Sequence, residues 1–279
     1  MPVRIVTDSA ADLTAADVEA LGIEVVPLTI RFGDKEYTDG VDLSVDEFYS
    51  KLESSDTLPE TAAPSPGAFE AAFRRQAEAG ADAVVCVNLS SGLSATIEAA
   101  RNAATAVAGD LDVRVVDSRS ITSGLGAQVR EAARTAADGS DADAVVALVE
   151  DLAARTRVLG ALDTLENLKK GGRIGGAQAL LGSLLSIKPL LDISTGEVAE
   201  AGRARTRRRA LEWLRDQVFE QPAVEHLCVA HGLAPDLDAM LALLAPRYPR
   251  DQISVTTIGA TIGTHGGPRV MGVTWVTPA

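Results

Sequence analysis

Along the first 160 residues, short runs of β-branched and aliphatic residues alternate with longer stretches whose apolar positions recur every three or four residues. VRIVT precedes TAADVEALG, IEVVPLTIRF precedes SVDEFYSKLES, DAVVCVNL precedes SATIEAARNAATAVAG, and VRVVDS precedes a helical pattern from about Thr122. Such alternation predicts a parallel sheet with crossover helices. Ser44 followed by Glu47 has capping-box spacing, and Ser65 before Pro66 pairs an N-cap with an N1 proline, so both predict helix starts. DADAVVALVEDLAARTR reads as a further amphipathic helix and RVLGALD as the strand that opens a second unit, which places a boundary between residues 156 and 157.

Beyond that boundary, Gly171 and Gly172 are expected to end one helix, and Gly175 and Gly176 to precede another whose leucines at 180, 181, 184 and 185 form an apolar stripe. IKPLLDI and EVAEAGRA flank Ser194, Thr195 and Gly196, a predicted hairpin turn. A helix, the strand EHLCVAHG, the helix PDLDAMLALLAP, the strand QISVTTIG and a final strand VMGVTWV complete the pattern. A chain of 279 residues with 46% hydrophobic content can fill two cores, so two domains are expected, 1–156 and 157–279.

Charge narrows the function classes. With 26 basic and 39 acidic residues the formal charge is -13, which disfavours a general role on nucleic acid or anionic membrane. No apolar run reaches membrane-spanning length and the start, MPVRIVTDSAADL, lacks an apolar h-region, so a cytoplasmic protein without stable membrane insertion is expected. Cys86 and Cys228 sit in strand-like runs and suggest no disulfide framework. No histidine pair has HExxH spacing, and a metal is not expected. There is no GxxxxGK[ST] loop, and GLGAQV at 124–129 lacks both the third glycine and a strand directly before it. No GxSxG elbow supports serine hydrolase chemistry.

The candidate chemistry lies in polar turns at strand ends, where ligands of open α/β sheets gather. VNLSSGLSAT supplies Ser90, Ser91, Ser94 and Thr96 before a helix, a place for an anionic group, although capping needs only one of the four. Thr7, Asp8 and Ser9 end the first strand, and Asp117 and Ser118 end VRVVDS. Each is either part of a site rim or a turn that holds its own backbone. TAAPSPGAF presents Thr61 and Ser65 on a proline-stiffened loop, and GATIGTHGGPRVMG places His265 among glycines between two strands, which favours a site role. Two basic clusters, LKKGGRIG and GRARTRRRA, read either as solvated faces, balanced in the second case by Glu212 and Asp216, or as sites for an acidic partner or a phosphate.

These segments, in this order, resemble the DegV family: TDSAADL, TAAPSPGAF, LSSGLSATIEAA, VVDSRSITSGLG, LENLKKGGRIG, the RTRRRA cluster and IGTHGGP. The resemblance covers essentially the whole chain. It implies a two-domain α/β fold, with a parallel sheet in the N-terminal domain and a mixed sheet in the C-terminal one. It further implies that a long-chain fatty acid lies between the domains as ligand, with no cofactor, its carboxylate held at positions that map to Thr61, Ser94 and His265. Asp8, Ser9, Ser65, Ser91, Thr96, Asp117, Ser118 and Arg269 are further candidates for the site rim. The family includes the substrate-binding subunit of bacterial fatty-acid kinase, which implies no catalysis by this chain itself. Its expected partner is a dihydroxyacetone-kinase-like, ATP-binding subunit that converts the carboxylate to an acyl phosphate. Arg173, Arg203 and Arg205 are the docking candidates. Two positions depart from the family pattern: Ala95 replaces the glycine of an LSGT-like turn, and Arg269 the last glycine of a GPG after the histidine. A free-standing enzyme acting on a small anion with His265 as acid or base, and a lipid carrier or sensor without a kinase, are the alternative readings.

Overall fold

The computed structural model describes residues 2–180 and 187–279. Strand β1 (Val3–Asp8) runs into a 3-10 turn at Ser9–Ala11, then helix α1 (Ala15–Leu21) and β2 (Glu24–Val26). A hairpin of β3 (Thr29–Phe32) and β4 (Lys35–Thr38), helix α2 (Val45–Ser54), β5 (Glu60–Ala62) and α3 (Pro66–Glu78) follow. This half is completed by β6 (Ala83–Asn88), α4 (Thr96–Val107), β7 (Asp112–Asp117), α5 (Thr122–Ala137) and α6 (Ala142–Arg155). The other half begins with β8 (Thr156–Ala161), α7 (Glu166–Lys170) and a 3-10 stretch at Gly175–Leu180. It continues through β9 (Lys188–Asp192), β10 (Ala199–Ala204), α8 (Arg207–Phe219), β11 (Glu225–His231), α9 (Leu237–Leu244), β12 (Ser254–Thr257), α10 (Ala260–Gly266) and β13 (Met271–Val276). The predicted leucine stripe at 181, 184 and 185 lies outside the described residues, and Leu180 closes the 3-10 stretch ahead of it.

The first half holds a parallel sheet in the order β2-β1-β6-β7, and the second a mixed sheet in the order β10-β9-β8-β13-β11-β12. The expected parallel and mixed α/β layers are therefore both present. The capping box at Ser44 and Glu47, and Ser65 as N-cap before Pro66, form as the spacing predicts.

One segment differs from the sequence reading. IEVVPLTIRF is two strands in two sheets: β2 joins the parallel sheet, whereas β3 pairs with β4 and β5 in a separate antiparallel sheet. Pro27 lies between them, without the N–H that a continuing ladder needs. The new sheet recruits Thr61, which sits opposite Ile30 on β5 and is not carried by a free loop.

Helix α5 is wedged between the two large sheets, packed against β1 and β6 on one side and β8, β11 and β13 on the other. Glycine makes this fit possible. A Cβ at Gly124 would lie 2.8 Å from Val158 of β8, and one at Gly126 would lie 2.6 Å from the carbonyl of Ala11. GLGAQV thus serves close packing of a helix between sheets, with no glycine left to cradle a phosphate. Helices α8 and α9 cover one face of the mixed sheet through Leu211, Leu214, Met240 and Leu244. The opposite face, with Val158, Leu191, Ile193 and Ala230, joins Ile121, Leu168, Ile258 and Val270 in an apolar cluster that surrounds a cavity.

Candidate functional site

The cavity encloses about 1100 Å³ of empty space, its open mouth included, and both halves contribute to its wall. Leu28, Leu89, Leu93 and Ile121 come from the parallel-sheet half, and Val158, Leu162, Leu191, Ile193 and Ile258 from the other. The lining, mostly aliphatic with a few polar groups, is that of a site for an apolar ligand.

One group of lining residues is polar and comprises Thr61, Ser94, His265 and Arg173. Thr61 is held by the β3 ladder, and its Oγ1 lies 3.1 Å from His265 Nε2. Ser94 stands just before α4, where its Oγ accepts from the N–H of Thr96 and lies 2.9 Å from Thr96 Oγ1. Ala95, the N-cap residue of α4, offers no side-chain oxygen, so the helix start favours an anion from outside the chain. Arg173 donates from Nη1 to the carbonyl of Gly171 and from Nε to that of Leu93, which lays its guanidinium across the Ser94 turn.

His265 belongs to a helix, which corrects the expectation of a glycine-rich loop between strands. ATIGTHG forms α10, and its helical state is fixed by partners distant in sequence. Asp12 accepts from the N–H of Gly259, Thr261 donates to Asp39 at 2.6 Å, Tyr49 donates to the carbonyl of Ile258, and Asn167 donates to that of Thr264. The helix therefore bridges the halves and delivers His265 to Thr61. Burial, and then the charge of Arg173, lower the His265 pKa to about 4, so the ring is neutral at physiological pH. Its Nδ1 is buried with no partner, which disfavours a proton there. The tautomer this favours carries Nε2–H and donates to Thr61 Oγ1, leaving the Thr61 hydroxyl proton free to point at a ligand oxygen.

The remaining rim candidates lie outside the cavity wall. Asp8 is fully buried and accepts from Ala10 N–H, Leu89 N–H and Asn88 Nδ2, tying the end of β1 to the end of β6. Burial, opposed by these bonds, lifts its pKa to about 6. Ser9 donates to Asp39 and accepts from Leu28 N–H. Asp117 accepts from Ser91 N–H and Oγ–H and from Arg119 N–H, which ties β7 to the Ser91 turn. Ser118 donates to the carbonyl of Ser120, Ser65 caps α3, and Thr96 supports Ser94 from behind. The three polar turns do meet, but as struts for the Ser90–Thr96 loop. Asp8 and Asp117 are both engaged with backbone N–H groups.

Arg269 forms an ion pair with Asp163, which Lys188 also approaches at 2.7 Å, and it is not among the residues that line the cavity. Of the docking candidates, Arg173 lines the cavity, while Arg203 on β10 and Arg205 beyond it are exposed. Arg207 is paired with Asp236, and Arg208 and Arg209 share Glu212, which leaves Arg203 and Arg205 outside the ion pairs among the described residues. Gly171, Asn167 and the cavity position of Arg173 were not foreseen. Their roles rest on long-range contacts that no local pattern reports.

Comparison with known proteins places this arrangement among relatives. The family model described as "Uncharacterised protein, DegV family" matches residues 2–278. A DegV domain-containing protein of Streptomyces coelicolor is 39% identical over 275 residues, 97% of each chain. A solved DegV family protein from Thermus thermophilus, described by its fatty acid binding, is 33% identical and superposes over 100% of both chains with a TM-score of 0.90. A stearic acid-binding protein from Eubacterium ventriosum is 25% identical and matches 99% of this chain and 98% of its own with a TM-score of 0.89. With a family model that spans nearly every residue and a fold matched along its whole length, the chain belongs to the DegV family.

Proposed function

We propose that the protein binds a long-chain fatty acid in the cavity between its halves and presents the carboxylate to a separate ATP-dependent, dihydroxyacetone-kinase-like subunit, which converts it to an acyl phosphate. The observation that carries the reading is the lining itself, an apolar cavity with hydroxyls, a neutral histidine and one arginine at a single polar group of residues. Solved relatives described as fatty-acid-binding support it. Each buried CH₂ contributes about 0.8 kcal/mol, so a long chain gains roughly 10 kcal/mol before the costs of ordering and association.

At the polar end, the hydroxyls of Thr61 and Ser94 donate to the carboxylate, and Arg173 balances its charge without a bidentate clamp. The carboxylate keeps a free lone pair. In the transfer step that oxygen attacks the terminal phosphorus of ATP, the bond to the leaving ADP oxygen breaks, and the products are acyl phosphate and ADP. No nucleotide-binding loop is needed on this chain.

Arg203 and Arg205 are the exposed cations proposed to meet the partner. Arg203→Glu and Arg205→Glu are expected to slow phosphoryl transfer from preloaded protein while the fatty acid stays bound, and wild-type transfer is expected to weaken as salt rises. Arg173→Glu should behave differently, losing ligand as well as transfer, since it lines the cavity. The experiment is a kinase assay on preloaded protein across ionic strengths, paired with lipid mass spectrometry of each variant. Normal, salt-insensitive transfer by the Arg203 and Arg205 variants would return the cluster to a solvated surface.

A further inference from the structure

The two central strands of the mixed sheet carry glycine where they face the cavity. Gly160 of β8 pairs with Gly272 of β13, and the same cross-strand row continues to Leu191 on β9 and Ala230 on β11. All four residues line the cavity. To one side of this row stand Val158 and Thr274, directly paired, and to the other Leu162 and Val270, again on the cavity wall. The small residues of β8, β13 and β11 therefore form a trough in the sheet, about 10 Å across at the usual strand spacing.

Glycine inside a strand weakens it, and it commonly marks a bulge, a bend or the close approach of a ligand or another backbone. At Gly272 the fold itself supplies the reason, because a Cβ there would lie 2.9 Å from the carbonyl oxygen of Leu159 on the neighbouring strand. Gly160 is different. Its φ lies outside the left-handed region, and the register of β8 with β13 runs without a shift from Thr156 to Ala161. Among the described residues, the nearest atom to a Cβ at position 160 is Leu162 Cδ1 at 3.7 Å, an ordinary contact. Backbone and packing there would accept a side chain, which leaves the cavity as the place where its absence matters.

Resting on the fatty-acid reading above, we propose that part of the acyl chain seats in this trough against the bare backbone of Gly160 and Gly272, and that Gly160 sets how long a chain the cavity admits. The trough lies inward of the polar residues: Arg173 is exposed and Ser94 half-buried, whereas Gly160 and Gly272 are buried. A short acid held at the polar end stops before the trough, and a long one crosses it. Any side chain at position 160 takes the volume of ligand methylenes.

The test is equilibrium binding of stearic acid and decanoic acid to the delipidated full chain, as wild type, Gly160→Ala, Gly160→Val and Gly160→Leu, with a thermal melt of each ligand-free protein. Stearic acid affinity is expected to fall stepwise with the size of residue 160, by about ten-fold or more in Gly160→Leu. Decanoic acid should lose much less. Ligand-free Gly160→Ala should melt at or above wild type, since alanine suits a strand better than glycine. Wild-type stearic acid affinity in Gly160→Val and Gly160→Leu, or equal losses for both acids, would overturn the proposal. So would a Gly160→Ala protein that melts well below wild type, because the glycine would then serve the fold. If Gly160→Leu does not fold, the alanine and valine variants decide the question by the same stepwise loss. A wild-type chain that binds neither acid would instead bring down the fatty-acid reading itself.

Discussion

Gly171→Ala is expected to reduce fatty-acid affinity about ten-fold or more while the protein stays folded. Gly171 has φ of −78°, an ordinary value, so its backbone needs no glycine. What needs it is His265: a Cβ at position 171 would lie 2.3 Å from Nδ1 and 2.8 Å from Cε1 of the imidazole. The ring is the end of a rotatable side chain, and swinging it away costs less than moving two helices. Once it swings, its bond to Thr61 is lost and the Thr61 hydroxyl is no longer oriented. The decisive measurement is a double-mutant cycle with His265→Ala. Because both changes act on one contact, Gly171→Ala should cost little more in the His265→Ala background. An undiminished cost there would mean that Gly171 acts independently of the histidine.

The second large effect separates two serines that sequence alone treats as neighbours. Ser94→Ala should weaken fatty-acid binding by about 10- to 150-fold, the loss of one hydrogen bond to a charged group at roughly 1.5 to 3 kcal/mol, with little change in thermal stability. Ser90→Ala should do the reverse. Ser90 is buried, donates to the carbonyl of Gly196 at 2.5 Å and accepts from Gly92 N–H, pinning the β9–β10 turn against the loop of the other half. Its loss leaves a buried carbonyl unpaired and should cost about 1 to 3 kcal/mol of stability. Thermal melts and ligand titrations on both variants check this, and equal effects on binding would count against Ser94 as the carboxylate donor.

The division between legible and hidden features follows from the range of the interactions that create them. Periodicity and capping are local, so the alternating strands and helices, the Ser44–Glu47 box and the β9–β10 hairpin could be read directly. The β3–β4 hairpin carries a signal too, Gly33 and Asp34 at its turn, and Pro27 marks the break that separates β3 from β2. Helix α10 had none. Its seven residues include two glycines, and Asp12, Asp39, Tyr49 and Asn167 hold it from other parts of the chain. Asp8 and Asp117 illustrate the converse limit, because spacing cannot tell a carboxylate that faces a ligand from one that accepts backbone N–H groups. Thr61, Ser94 and His265 were marked by the family resemblance, and the structure brings them to one cavity. Arg173 joins them there because its side chain folds back over Leu93, a contact across the two halves.

The most direct test of a cavity built for an acyl chain is to ask what the protein already holds. Native mass spectrometry of the chain purified from bacteria, followed by organic extraction and lipid mass spectrometry, should find about one fatty acid per chain. A stoichiometric polar metabolite with no lipid would contradict it.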